Sequence, residues 1–293
     1  MIIVKLTGGI GNQLFQYYLG KNLSIKNKDE LILDISEFND KKRQLRTYGL
    51  SFFNIKVKVL SEKDLKYNDL KIIKEKSEFI FDPMVFNNKE NIFLQGYWQN
   101  QKYFYEIKDI IKDEITLKKE FQFDISKKTD GMLKKENTVA VHIRRGDYIK
   151  NRMIRKMFNV CDVKYYNKAI NKMAELLKNP TFLFFSDDIN WVKKNIKTKF
   201  PYLFISGNRD YEDFIIMQNC KHNIISNSSF SWWAAWLNNN KNKIVVAPSQ
   251  WINDNNINYS DLIPPGWIKI DNIKTYYILF PNMLQWLKNI FKR

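Results

Sequence analysis

The chain has 293 residues, 44% hydrophobic and 15% aromatic, which is enough apolar surface for a substantial core and excludes a disordered chain. Its formal net charge of +17 predicts attraction to nucleotides or anionic lipid headgroups. The lysines are scattered, however, and no basic run typical of nucleic-acid binding is present, so we expect no nucleic-acid partner.

Cysteine usage and the first residues bear on location. Cys161 and Cys220 lack metal-ligand spacing, which argues against a zinc site or a disulfide framework and predicts a reducing compartment, the cytoplasm. The chain opens on a strand pattern without a basic leader, and no apolar run reaches membrane-spanning length. We therefore expect neither secretion nor a transmembrane segment.

Short β-branched and aromatic runs alternate with helical patterns along the chain. Strands are predicted at 2–6, 31–35, 92–95, 139–143, 182–186, 203–206 and 244–247. Apolar residues with helical spacing predict helices at 165–178 and 210–220. Strands alternating with crossover helices predict an α/β fold with parallel sheets.

The length suggests two domains, and the charged segment 115–137 is the best candidate for their boundary. We place one domain at 1–137 and a second at 138–275. The tail 276–293 is amphipathic and predicts a terminal helix, for which two interpretations remain open. It either packs across the domains as core cover or lies on an anionic inner membrane.

The first motif is a glycine-rich loop, Thr7 to Gln13, between the first predicted strand and a helical pattern. Glycines let the backbone approach a ligand, and a helix N-terminus favours an anionic group. Leu14 stands where the dinucleotide fingerprint needs its third glycine, so that fingerprint is excluded. A plain tight turn is the alternative.

The second motif places His142, Arg144, Arg145 and Asp147 at the end of a strongly apolar strand. Ligands of parallel α/β sheets lie at the carboxyl ends of strands, and arginines offer planar donor forks to phosphate oxygens. Asp147 could orient one arginine. The alternative is a salt-bridge cluster on a solvated loop.

The third motif, Ser186-Asp187-Asp188, also follows a strand. The two carboxylates could hold a divalent metal, accept hydrogen bonds from guanine or a ribose hydroxyl, or cap a helix. All three interpretations remain open.

The fourth motif joins a strand to a helix through five small polar residues, 226–229 and 231. Hydroxyls and free amides at that helix start, Ser228 to Ser231, predict a phosphate cradle, with Trp233 and Trp236 in the core. His222 precedes the strand and is interpreted as structural.

Together these segments resemble the family 11 α-1,2-fucosyltransferases, and more distantly the α-1,6- and protein O-fucosyltransferases. The resemblance runs nearly end to end and rests on residues 8–17, 96–99 with 103–104, 142–148, 185–188 and 226–235. It implies a GT-B-type α/β fold, in which two Rossmann-like domains face a central cleft. It also implies a GDP-fucose donor, inversion at the anomeric carbon, and neither a cofactor nor a required metal.

The resemblance also implies roles for residues. Arg144 would bind the donor pyrophosphate and Asn12 would approach the donor; Asp147, the nearest motif carboxylate, would serve as a base or hold Arg145. Motifs and resemblance together predict a donor site comprising Gly9, Gly11, Gln13, His142, Arg145, Asp187, Asp188, Asn227, Ser228, Ser229, Phe230 and Ser231. One departure is Lys164-Tyr165-Tyr166, where many members carry an aspartate first, so we place no base there.

The acceptor is the least determined feature, because a fold does not specify the sugar that enters the cleft. The family implies a terminal β-galactoside in a bacterial surface polysaccharide. Tyr97 and Trp98 are candidates for stacking on an acceptor ring, and the alternative is that they are core. Two rival functions are a GDP-fucose transferase that makes another linkage and a non-catalytic basic module that binds acidic polymers.

Overall fold

The structure is a computed structural model. Seven stretches are described: residues 1–39, 46–60, 70–89, 91–150, 152–158, 161–254 and 256–272. The predicted tail helix at 276–293 and the side chain of Asp147 lie outside this description. Among the described helices, none is both long enough and apolar enough to cross a lipid bilayer.

The first half of the chain builds a five-stranded parallel sheet with the strand order β3-β2-β1-β5-β4. Its central strands are apolar runs buried on both faces, as parallel sheets covered by helices require. The strands are β1 Ile2–Lys5, β2 Leu31–Asp34, β3 Lys58–Val59, β4 Lys71–Lys74 and β5 Ile92–Gln95.

The second half builds a six-stranded parallel sheet with the order β11-β10-β9-β6-β7-β8. Its strands are β6 Thr138–Ile143, β7 Thr181–Ser186, β8 Tyr202–Ile205, β9 His222–Ile224, β10 Val245–Pro248 and β11 Ile268–Ile270. The seven predicted strands are confirmed to within one residue at each end, and so is the parallel α/β class.

Helices connect the strands and cover the sheets. They are α1 Ile10–Asn27, α2 Ser36–Asn39, α3 Lys108–Glu114, α4 Ile125–Lys128, α5 Gly146–Lys150, α6 Arg152–Phe158, α7 Val163–Leu176, α8 Ile189–Asn195, α9 Asp210–Asn219 and α10 Ser229–Leu237. The predicted helices at 165–178 and 210–220 correspond to α7 and α9. Short 3₁₀ turns lie at Gly49–Phe52, Pro83–Asn87, Gln101–Tyr103, Tyr105–Ile107, Lys119–Phe121 and Met132–Lys134.

The two halves share an aromatic core where α1 meets α10. Phe15 of α1 lies 4.6 Å from the ring centre of Trp232 and 5.1 Å from that of Trp233, and all three side chains are buried. Phe104 stacks on Trp233 at 4.8 Å. Trp233 is therefore core, as predicted, and one apolar cluster crosses from one half of the chain to the other. The predicted domain boundary at residue 137 stays a prediction.

The contact between α1 and α10 is closest at Gly11. A Cβ placed there would lie 2.3 Å from the carbonyl carbon of Ser229 and 2.5 Å from the backbone nitrogen of Phe230. Such distances are shorter than any real carbon contact, and the atoms opposite are backbone. Glycine at position 11 is therefore the condition for α1 and α10 to pack at this separation.

We expect Gly11→Ala to destabilise the protein by about 1–3 kcal/mol, because the methyl group forces the two helix starts apart. Gly9→Ala is the matched control, since a Cβ at Gly9 meets no heavy atom within 4 Å and its φ of −81° suits alanine. Urea unfolding of both variants measures the difference. Equal stabilities would mean that the α1–α10 packing does not constrain residue 11.

Candidate active site

The loops that carry the predicted motifs meet because of strand order. Strands β6, β7 and β9 are parallel neighbours, so the segments that leave their carboxyl ends emerge at the same edge of the second sheet. Arg144 follows β6, Asp187 follows β7, and α10 begins shortly after β9. The structure therefore brings the second, third and fourth motifs together.

Asp187 holds the Arg144 loop in place. One carboxylate oxygen lies 2.8 Å from Arg144 Nη1, and the other accepts the backbone N–H groups of Arg145 and Gly146, each at 2.9 Å. The Arg144 side chain stays 19% exposed, so its guanidinium is accessible from solvent. Asp187 thus fixes the position of the cation, and the role predicted for Asp147 stays a prediction.

Asp188 and Trp191 hold the second arginine. The Arg145 guanidinium lies 3.5 Å from the centre of the Trp191 ring and its Nε donates to Asp188 at 3.3 Å. The other Asp188 oxygen accepts the backbone N–H of Trp191 and caps α8. Because a stacked and paired guanidinium is immobilised, Arg145 holds the loop, and Arg144 is the candidate of the pair for contact with a ligand.

The carboxylate oxygens of Asp187 and Asp188 therefore have protein donors. Among the described residues, no three side chains of the types that bind metals lie together. Helix capping, one of the three interpretations of this motif, is confirmed for Asp188. A contact with guanine stays a prediction for both residues.

His142 is buried beside Arg144. Its Nδ1 lies 2.9 Å from Ser226 Oγ, and its ring packs 5.5 Å from that of Phe230. Burial, together with the positive charge of Arg144, lowers the pKa of His142 to about 3. The imidazole is therefore neutral at physiological pH, and it connects β6 to the segment before α10 through Ser226.

The starts of α1 and α10 face the same region. Neither Gly9, which precedes α1, nor Ser228, which precedes α10, makes a side-chain capping hydrogen bond. Ser229 and Phe230 are partly exposed, and space lies open beside Gly9. Two uncapped helix starts present backbone N–H groups and partial positive charge, which suits an anionic group.

Asn12 joins the two halves at this point. Its Oδ1 accepts a hydrogen bond from Ser229 Oγ at 2.6 Å and another from Gln99 Nε2 at 2.9 Å. Ser229 belongs to α10, whereas Gln99 follows the first sheet. The predicted donor residues Gly9, Gly11, Asn12 and Ser229 are thus brought together.

The side chains of three predicted donor residues are buried and already paired within the fold, and their contact with a donor stays a prediction. Gln13 donates to the carbonyls of Gly8 and Thr47 and accepts from Gly49 N. Asn227 donates to the carbonyls of Phe158 and Trp251. Ser231 donates to the carbonyl of Ser228 at 3.2 Å, and Ser228 itself is buried. These residues shape the loops beneath the site.

Of the two acceptor candidates, Trp98 is core. Its side chain is 2% exposed and its ring meets Tyr103 edge-on at 5.7 Å, which favours the core interpretation, and a contact with an acceptor sugar stays a prediction. Tyr97 is partly exposed and remains a candidate. Glu75 organises this turn by accepting the backbone N–H groups of Tyr97 at 2.8 Å and of Trp98 at 3.0 Å.

Sequence reasoning missed Glu75, Gln99 and Ser226 as organisers of the site. Gln99 stands inside the segment Gly96 to Gln99 that carried the resemblance, and Ser226 begins the small polar run. Glu75 gave no signal, because it lies in a charged stretch far from any motif and acts through a fold contact. His222 accepts the backbone N–H of Ile244 at 3.0 Å, which is a structural role.

The sequence of the chain is similar to those of known proteins. Residues 52–271 match the protein family described as Glycosyl transferase family 11. An α-1,2-colitosyltransferase of Escherichia coli is 33% identical over 92% of this chain and 99% of its own length. The O-antigen biosynthesis glycosyltransferase WbnK of Escherichia coli is 31% identical over 90% of this chain and 99% of its own length.

Two more distant proteins add detail. Galactoside α-(1,2)-fucosyltransferase 1 of Rattus norvegicus is 28% identical over 49% of this chain and 41% of its own length. The crystal structure of the fucosyltransferase NodZ from Bradyrhizobium superposes with a TM-score of 0.50 at 13% identity, over 80% of this chain and 92% of that chain. This likeness concerns the fold, and the GT-B type predicted from the sequence is confirmed.

Proposed function

The chain belongs to glycosyl transferase family 11, and on that premise we propose that it is an inverting α-1,2-fucosyltransferase. It moves L-fucose from GDP-β-L-fucose to the 2-hydroxyl of a terminal β-galactoside. We place the reaction in the cytoplasm, in the synthesis of a bacterial surface polysaccharide. The observation that carries the donor assignment is the hydrogen bond from Ser229, at the start of α10, to Asn12, at the start of α1, where neither helix has a side-chain cap.

The geometry supports a diphosphate donor. Three kinds of group suit an anion: the backbone N–H groups of the two helix starts that meet at Asn12 and Ser229, the Asn12 amide, and the Arg144 guanidinium that follows β6. The formal charge of +17 favours the approach of such a donor. We propose that the guanosine of the donor lies beside Asp187 and Asp188.

The linkage and acceptor rest on the relatives. Two of them are named for α-1,2 transfer, one of these for galactosides, and a third is named for O-antigen biosynthesis. These names support an α-1,2 linkage and a surface polysaccharide.

The proposed chemistry is displacement of GDP with inversion. Negative charge grows on the leaving β-phosphate as the bond to the sugar breaks, and fixed donors stabilise this charge more in the transition state than in the ground state. Arg144, held ready by Asp187, supplies the cation. The acceptor hydroxyl attacks from the opposite face of the sugar, with Asp147 as the proposed base or as a group that orients the loop.

Colitosyl transfer is the second candidate, because the relative with 33% identity along nearly the whole chain is named for it. Colitose is the 3-deoxy counterpart of fucose, so the two donors differ by one hydroxyl. A site that hydrogen-bonds this hydroxyl discriminates strongly against a sugar that lacks it.

The proposal is tested by supplying GDP-fucose and GDP-colitose in parallel with lactose as a minimal β-galactoside, then determining the product linkage. We expect fucosyl transfer to the 2-hydroxyl, with a higher kcat/KM for GDP-fucose. Preference for GDP-colitose would assign the second candidate, and a different linkage would assign another fucosyltransferase. Hydrolysis of the donor or binding of the donor, without transfer of either sugar, would contradict the transferase assignment.

We further expect EDTA to leave the transfer rate nearly unchanged. Arg144 and the two helix starts already supply positive charge to the diphosphate, and Asp187 is committed to Arg144. Initial rates are compared with EDTA and with added Mg²⁺ or Mn²⁺. A loss of most activity that either metal restores would mean that Asp187 and Asp188 bind a cation with the donor.

Arg144→Ala should reduce kcat by about 10²–10³-fold, the usual effect of removing one fixed donor to developing charge. The fold should survive, because Asp187 keeps the backbone N–H groups of Arg145 and Gly146 as partners. Arg144→Lys should restore little, since an ammonium cannot form a bidentate fork. The measurements are steady-state kinetics and thermal melts.

The control is Lys172→Ala, which removes one positive charge from an exposed ion pair on α7. It should leave both kinetics and melting unchanged. Wild-type kcat/KM in Arg144→Ala would refute the role of Arg144 at the diphosphate, and an unfolded variant would assign Arg144 to a structural ion pair with Asp187.

A further inference from the structure

The turn after β5 is held in an uncommon backbone conformation. Trp98 has a φ of 56°, in the left-handed region that bulky residues avoid. Glu75 compensates by accepting the N–H groups of Tyr97 and Trp98, and the carbonyl of Trp98 accepts the N–H of Asn100 at 2.8 Å. Strained turns of this kind persist where the surrounding structure fixes them, often near functional sites.

The consequence of the turn is the position of Gln99. This side chain is 9% exposed and its Nε2 reaches Asn12 Oδ1 at 2.9 Å. Its Oε1 is buried and has no hydrogen-bond partner among the residues that the structure describes. A buried acceptor without a partner destabilises a fold. Stability therefore does not explain why a glutamine occupies this position.

The hydrogen bond fixes which way the Asn12 amide faces. Gln99 Nε2 donates to Asn12 Oδ1, so the carbonyl oxygen of the Asn12 amide faces Gln99. Ser229 Oγ donates to the same oxygen from α10. With its oxygen held from two sides, Asn12 turns its Nδ2 toward the glycine loop, where a Cβ on Gly8 would lie 2.6 Å from that nitrogen.

We propose that Gln99 is a positioning residue of the donor site, which fixes the Asn12 amide so that its N–H₂ group is presented at the start of α1. The inference rests on the proposed function in one respect, that Asn12 meets the donor. Gln99 itself contacts neither donor nor acceptor. Its removal frees Asn12 to rotate and to present its oxygen, which repels a diphosphate.

The test is Gln99→Leu, which removes the donor to Asn12 together with the partnerless Oε1. We expect kcat with GDP-fucose to fall about 10- to 100-fold, less than the 10²–10³-fold typical of a direct donor. The melting temperature should stay at or above that of the wild type, since a buried unpaired oxygen is lost. Gln99→Glu, which keeps the size but no longer donates when ionised, should lower kcat in the same way.

The matched control is Gln101→Leu, the same substitution two residues along, where Gln101 Oε1 accepts from Trp236 Nε1 at 3.1 Å. It should leave kcat and donor KM at wild-type values. In an Asn12→Ala background, Gln99→Leu should cause no further loss of kcat, because the effects of substituting two residues that act together do not add.

The outcomes separate the positioning role from the proposed function. Wild-type kcat in Gln99→Leu and Gln99→Glu, or additive losses in the Asn12→Ala background, would overturn the positioning role while leaving fucosyl transfer intact. A fall in kcat that follows a fall in melting temperature would assign Gln99 to stability alone. If the wild type neither binds GDP by calorimetry nor transfers fucose, the proposed function fails, and the positioning role fails with it.

Discussion

The packing of α1 against α10 at Gly11 is the constraint on which the rest of the site depends. Only a residue without a side chain lets the α1 backbone approach Ser229 this closely. That approach brings Asn12 within hydrogen-bonding distance of Ser229 and directs two helix starts at one region. Phe15 and the tryptophans of α10 then secure the contact through an aromatic core shared by both halves.

The charges of the site are arranged around Arg144. Asp187 and Asp188 neutralise and orient the two arginines, and the neutral His142 beside them adds no further positive charge. The Arg144 guanidinium is paired and partly exposed, and the following backbone is held by the same carboxylate, so little reorganisation is needed when an anion arrives. Asp187 and Asp188, which follow the neighbouring strand β7, hold the loop that follows β6 in this position.

Apolar strands and glycine or serine loops were predictable because their causes are local in sequence. The seven strands are short apolar runs, and the motif loops follow them directly. Strands β3 and β4 escaped prediction because they are largely exposed, lysine-bearing edge strands that place little side-chain surface in the core. Gln13 and Asn227 each donate to at least one carbonyl that lies 24 to 69 residues away, and no local pattern encodes such partners.

The shared aromatic core has a consequence for synthesis on the ribosome. The residues joined at the Asn12–Ser229 contact are 217 positions apart. At a translation rate of roughly 5–20 residues per second, α10 is synthesised on the order of 10–40 s after α1. Throughout that interval Phe15 and its neighbours lack the tryptophans that cover them in the native fold. Nascent chains should therefore engage chaperones through α1, and slow folding at high expression should favour aggregation through this helix.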